Sequence, residues 1–245
     1  VPVLTRAGEG ARRRASHILT AGFKHMKTVV FDLDGTLADT STDLIEAANA
    51  CFRGLGHQNM LDPQADALTA FHGGRAMLRL GFARLGQADE AAVDAQYPVL
   101  LSAYADGIDT HTRLYPGAAE AVEALRAAGY ATAICTNKPE GLAETLLQRL
   151  GVRGLFGALI GADTLPTRKP DPEPYLAAVL QAGGNPARSM LIGDTETDRK
   201  TAAAAGVPCV LVSFGPEGPG IARLAPEAML DHYHDLPALV VRLLG

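Results

Sequence analysis

The sequence has no tryptophan and only three cysteines, Cys51, Cys135 and Cys209, scattered over 245 residues. An odd number at wide spacing excludes a disulfide framework and a CxxC zinc site, and it suits a reducing cytoplasm. No apolar run approaches the ~18 residues that a membrane helix requires, so no membrane partner is expected. Excess positive charge is missing too. A net charge of -5 offers no general attraction to nucleic acid or anionic lipid, and a small molecule is the expected partner.

What is present is an ordinary globular composition, 47% hydrophobic and 20% charged, in a chain long enough for one core carrying a modest insertion. Residues 1–25 stand apart. They hold Arg6, Arg12, Arg13, Arg14 and Lys24 against Glu9 alone, so this segment carries +4 and the remainder -9. It lacks the apolar centre of a secretory signal, and its basic character only faintly suggests a transit peptide. It is treated as an N-terminal extension of a domain that starts at Met26.

From Thr28 the pattern turns to a strand, Thr28-Val29-Val30-Phe31, ending in the run Asp32-Leu33-Asp34-Gly35-Thr36-Leu37. Four more short, continuously apolar segments follow, at Tyr130 to Cys135, Phe156 to Ile160, Ser189 to Ile192 and Pro208 to Val212, as expected of parallel strands covered on both faces. Helical stretches are predicted between them at about 117–128, 138–149, 172–182 and 196–205, with Gly129, Gly151, Gly183 and Gly206 near their ends. The alternation predicts an α/β fold, a doubly wound parallel sheet whose ligand crevice lies at the carboxyl ends of the strands. Residues 40–113 interrupt it with alanine- and leucine-rich helical periodicity and no strand. The expected organisation is therefore an extension at 1–25, a core of 26–39 and 114–245, and a helical insertion at 40–113.

In parallel strands, Asp32, Asp34, Thr136, Asn137, Lys169 and Asp194 all fall at or just past strand ends and converge on one crevice. Three carboxylates brought together repel unless a cation neutralises them, and an all-oxygen set suits a hard ion such as Mg²⁺. A carboxylate nucleophile, a metal and donors for phosphoryl oxygens are the parts of a phosphoryl-transfer site. Thr136 and Asn137 are also placed to N-cap the helix that follows, and both roles are expected together.

These residues resemble the haloacid dehalogenase superfamily of phosphotransferases, in particular its phosphoglycolate phosphatase-like branch, over about residues 27–244. Phe31 to Leu37 resembles the family's first motif, Cys135-Thr136-Asn137-Lys138 its second, Lys169-Pro170-Asp171-Pro172 its third, and Gly193-Asp194-Thr195-Glu196-Thr197-Asp198 its fourth. The resemblance implies a Rossmann-like core with a helical cap inserted after the first strand. It implies that Asp32 attacks phosphorus to give an aspartyl-phosphate, and that Asp34 protonates the leaving group and then activates water. It further implies Mg²⁺ held by the Asp32 carboxylate, the Asp34 carbonyl and Asp194, with Asp198 orienting that set. Thr136 and Asn137 then bind the phosphoryl group, and Lys169 neutralises Asp32 and the transferring charge.

In the insertion, His72-Gly73-Gly74-Arg75 reads as a glycine loop entering a helix. A similar position in the resembled family selects the substrate, so Gly73, Gly74 and Arg75 are candidate specificity residues. The resemblance implies a Mg²⁺-dependent phosphatase acting on a small phosphorylated metabolite, 2-phosphoglycolate first among them. A β-phosphoglucomutase-like phosphotransferase shares the same core. A catalytically silent binding protein would lack motif residues, and none is missing.

Overall fold

The computed structural model describes residues 26–87 and 89–245; the basic extension at 1–25 lies outside the described residues. Strand β1 (Thr28–Phe31) is buried along its whole length and three of its four residues are β-branched, which suits a strand covered on both faces. It pairs in parallel with β4 (Ala131–Cys135) and with β6 (Ser189–Gly193), Phe31 standing opposite both Ile134 and Ile192. Strands β5 (Ala158–Ile160), β7 (Cys209–Val212) and β8 (Ala228–Leu230) complete a parallel sheet of order β5-β4-β1-β6-β7-β8. The chain fills one flank through β4 and β5, then crosses to β6 on the other side of β1. That reversal leaves a crevice beyond the ends of β1, β4 and β6.

Alternation along the strands divides the core into two layers. Val29, Phe31, Ile134, Met190 and Ile192 meet helices α5 (Ala118–Ala127), α6 (Glu140–Arg149) and α9 (Leu236–Leu244). Val30, Ala133, Cys135 and Leu191 meet α7 (Glu173–Gln181) and α8 (Glu196–Ala205) on the opposite face. This is the doubly wound α/β arrangement expected from the sequence, and Cys135 is core.

Between β2 (Ala38–Asp39) and β3 (Arg113–Leu114) the chain forms α1 (Ser41–Gly54), α2 (Ala67–Phe71), α3 (Gly74–Arg84) and α4 (Glu90–Asp106). Their apolar residues, among them Ile45, Phe52, Met77 and Leu100, continue the first core layer without a break. Helices α1 and α3 approach so closely that a Cβ on Gly81 would lie 2.2 Å from the Phe52 ring. The insertion is tied to its own exit by buried Asp43 on α1, whose carboxylate accepts from the Thr112 N–H and hydroxyl, both at 2.8 Å, and from the His111 N–H.

Two features were not anticipated. Strands β2 and β3 form an antiparallel ribbon at the root of the insertion, and with two residues each they are too short to show alternation. Strand β8 is a three-residue edge strand just after Pro226, where a proline argues against a strand in sequence alone. Among the described residues no helix is long and apolar enough to cross a membrane.

Candidate active site

The backbone ladder carries Asp32 to the rim of the sheet: its N–H donates to Ile192 O at 2.9 Å, so the side chain leaves β1 at a fixed point in the crevice. Beyond it the chain turns at Gly35 (φ +78°), where Thr36, Leu37 and Ala38 N–H groups all reach back to Leu33 O. Asp194, at the end of β6, folds over that turn. Its Oδ1 accepts from the Thr36 hydroxyl at 2.8 Å, and its Oδ2 is buried without a partner.

Asp32, Asp194 and Asp198 offer carboxylate oxygens within 4.8 Å of one another. Lys169 stands among them, its Nζ donating to Asp198 Oδ1 at 2.7 Å and lying 3.1 Å from Asp32 Oδ1. Asp198 has a second task, because its Oδ2 accepts from the Thr195 N–H and hydroxyl while the Thr195 hydroxyl accepts from the Asp198 N–H, a reciprocal cap on α8. One residue therefore starts the helix and holds the lysine.

Burial raises the Asp32 pKa to about 6, with Lys169 opposing and Asp198 and Asp34 adding to the rise. Burial likewise pushes Asp194 well above its ordinary value, reinforced by Asp198 and Asp32. Lys169 moves upward, since Asp198 and Asp32 outweigh the cost of burying its charge.

Asp34 turns away from this triad. Its Oδ1 accepts from Lys138 Nζ at 2.6 Å and from the Thr40 hydroxyl at 2.7 Å. With Asp34 occupied elsewhere, the three carboxylates of the triad face one buried ammonium, that of Lys169, which leaves two negative charges, the charge of one divalent cation. That imbalance, the orphaned Asp194 Oδ2 and the all-oxygen donor set fit a hard divalent ion between Asp32 and Asp194.

The remaining sequence candidates are distributed as follows. Thr136 is buried, and its hydroxyl accepts from the Lys138 N–H at 3.2 Å. Asn137 donates from Nδ2 to Lys169 O at 3.0 Å, joining the loop after β4 to the loop after β5. Neither caps α6, contrary to expectation. Pro139 occupies the N-cap, and the Glu140 N–H is taken by Asp163 Oδ1 at 2.7 Å.

Gly73, Gly74 and Arg75 line the insertion side of a cavity of about 630 Å³, with Asp32, Asp34, Thr136 and Lys169 on the other side. Each also has a local packing role. Gly73 precedes α3 at φ +93°, and a Cβ on Gly74 would lie 3.0 Å from Leu100. Arg75 is half exposed, ion-paired with Asp94 and laid over the Tyr97 ring, so its charge is already engaged.

The residue missed by sequence reasoning is Lys138, quoted within a motif but given no role. A signal existed: a cation just before a helix N-terminus opposes the helix dipole and needs another reason to be there. That reason is Asp34.

A second consequence of the geometry concerns Gly35, where an added Cβ would lie 2.3 Å from Asp194 Oδ2. Gly35→Ala is expected to cost roughly 1–2 kcal/mol for the left-handed backbone. Displacing Asp194 should lower turnover on the order of 10²-fold, the scale of an ångström misplacement in an active site. Parallel thermal melts and rate measurements check this, and wild-type turnover would refute the contact.

Fold and site together define an α/β enzyme with a carboxylate and lysine cluster at the switch point of a parallel sheet. The family model for haloacid dehalogenase-like hydrolases matches residues 26–206, and the chain belongs to that family. A phosphoglycolate phosphatase from Mesorhizobium japonicum is 38% identical over 209 residues, spanning 85% of this chain and 92% of that one. One from Agrobacterium fabrum is 36% identical over 220 residues, spanning 88% and 93%. The crystal structure of a predicted phosphoglycolate phosphatase from Haemophilus somnus superposes with a TM-score of 0.77 at 26% identity, covering 87% of this chain and 97% of the other.

Proposed function

We propose that this enzyme is a Mg²⁺-dependent phosphatase that hydrolyses a small phosphate monoester, with 2-phosphoglycolate, for which its relatives are named, as the substrate. The observation that carries the reading is the division of labour between two carboxylates two residues apart, Asp32 beside Lys169 and Asp34 beside Lys138. Asp32 and Asp194, with the Asp34 carbonyl, would hold the Mg²⁺, and Asp198 would orient them through Lys169. When bound, the ion supplies charge neutralisation that lets a carboxylate approach a phosphate dianion.

The residues then divide the reaction into two displacements. An Asp32 carboxylate oxygen attacks phosphorus as the ester P–O bond breaks, and Asp34 delivers a proton to the departing alkoxide. Asp34, now a carboxylate, takes a proton from water as its oxygen attacks phosphorus; inorganic phosphate leaves and the Asp32 carboxylate is restored. Lys169 keeps the nucleophile ionised and offsets charge on the transferring group, and Thr136 supplies a donor to a phosphoryl oxygen. Helices α1 to α4 act as the cap that closes over the leaving group.

Phosphate release from 2-phosphoglycolate, an aryl phosphate and a panel of sugar phosphates, with Mg²⁺ and with EDTA, tests the proposal. Turnover on phosphoglycolate should fall roughly 10³-fold or more in chelator, since several kcal/mol of charge stabilisation go with the ion. Undiminished activity in EDTA would sink the metal assignment. Transfer to a sugar hydroxyl in place of phosphate release would favour a mutase.

A further inference from the structure

The phosphoglycolate reading leaves one group unanswered, the carboxylate of the leaving group, and the inference below rests on that reading. Most cavity-lining arginines are already committed: Arg75 to Asp94, Arg79 to Glu90 and Arg223 to Glu217. Arg168 is exposed at the rim.

Lys138 differs. It lines the same cavity at 6% exposure, and its ammonium lies 2.6 Å from Asp34 Oδ1 and 4.4 Å from the centre of the Tyr104 ring. An ammonium has three donors, and Asp34 takes one. Tyr104 comes from α4 in the insertion and is 1% exposed, yet its hydroxyl has no partner in good hydrogen-bond geometry, the Lys138 ammonium being the donor beside it. A buried hydroxyl left unpaired in a ligand cavity is a group awaiting a partner.

Reach decides what that partner is. In 2-phosphoglycolate one methylene separates the ester oxygen, which Asp34 protonates, from the carboxylate, so the two groups lie within roughly 4 Å at ordinary bond lengths. A cation in hydrogen-bond contact with Asp34 is therefore at the carboxylate's distance. We propose that Lys138, backed by Tyr104, is the specificity-determining subsite that binds the carboxylate of a short 2-phospho acid, where the insertion meets the loop after β4. Asp34 and the substrate anion share one ammonium. An alkyl phosphate without a carboxylate leaves Lys138 its bond to Asp34 alone and the Tyr104 hydroxyl unused.

The test compares kcat/KM for 2-phosphoglycolate and ethyl phosphate, with Mg²⁺ present, in wild type, Lys138→Met and Tyr104→Phe. Loss of the Asp34 contact in Lys138→Met slows both substrates and cancels in the ratio. The preference for phosphoglycolate should drop about 10²-fold in Lys138→Met, mostly through KM, as for a lost charge-assisted bond. Tyr104→Phe keeps the ring under the ammonium and removes only the unpaired hydroxyl, so it should lower the preference about 10-fold with no loss of Tm. If Lys138→Met does not fold, Tyr104→Phe decides alone. A preference that survives the substitutions overturns this inference and leaves the phosphatase intact. A wild-type enzyme indifferent to the carboxylate overturns the phosphoglycolate reading and this subsite together.

Discussion

Asp32→Asn is expected to abolish turnover, by at least about 10⁴-fold, and to leave no acid-stable or trappable phosphoenzyme. The amide is isosteric, and the backbone at this position is fixed by the ladder bond to Ile192 O, so the substitution removes a nucleophile and not a fold. Lys169 keeps Asp198 as a partner at 2.7 Å, which spares it from becoming a stranded buried charge. Asp34→Asn provides the contrast. It retains the nucleophile, so a phosphoenzyme should still form, slowly, with both half-reactions reduced on the order of 10²-fold or more by the lost proton transfer. Rapid acid quench with labelled substrate measures both. A phosphoenzyme in Asp32→Asn would show that the covalent bond forms elsewhere.

The convergence of Asp32, Asp34 and Asp194 on one crevice was legible in the sequence because each lies at or just past the end of a short apolar strand, and parallel strands bring their ends to one place. What local pattern could not carry was pairing between loops distant in the chain. The Lys138 to Asp34 bond joins residues 104 apart, and Thr36 to Asp194 residues 158 apart. Two glycines before a basic residue suggested a ligand loop, and Gly73, Gly74 and Arg75 do line the cavity, but the packing of Gly74 on Leu100 and the pairing of Arg75 with Asp94 were not legible. The ribbon β2–β3 and strand β8 escaped because two or three residues show no period. Tyr104 escaped for another reason, since an aromatic at helical spacing is usually core, and only its unpaired hydroxyl separates it from Phe52 or Leu100.

The second large effect joins function and stability in opposite directions. Asp194 occupies a buried site beside two other carboxylates with one oxygen unpaired, and its folded-state pKa is raised by burial, Asp198 and Asp32. A carboxyl group with a raised folded pKa stabilises the fold below its unfolded value of 3.8 and loses that contribution as pH rises through the folded value, which for Asp32 is about 6. For Asp32 that loss is complete above about pH 6, and for Asp194 it continues as pH rises through its own raised value. Asp194→Asn should relieve the repulsion while keeping the Thr36 hydrogen bond to an amide oxygen. At pH near 7.5 in EDTA the variant is expected to melt a few degrees above wild type, since about 1 kcal/mol moves Tm by roughly 2–4 °C in a chain of this size. The advantage should shrink as pH falls towards 4, where the wild-type carboxyls are protonated. Activity should move the other way, down roughly 10³-fold or more, and added Mg²⁺ should raise the Tm of wild type but not of the variant. A lower Tm for Asp194→Asn in EDTA would mean that the carboxylate contributes more through unseen contacts than it costs through repulsion. An undiminished Mg²⁺ shift would remove Asp194 from the ion's ligands.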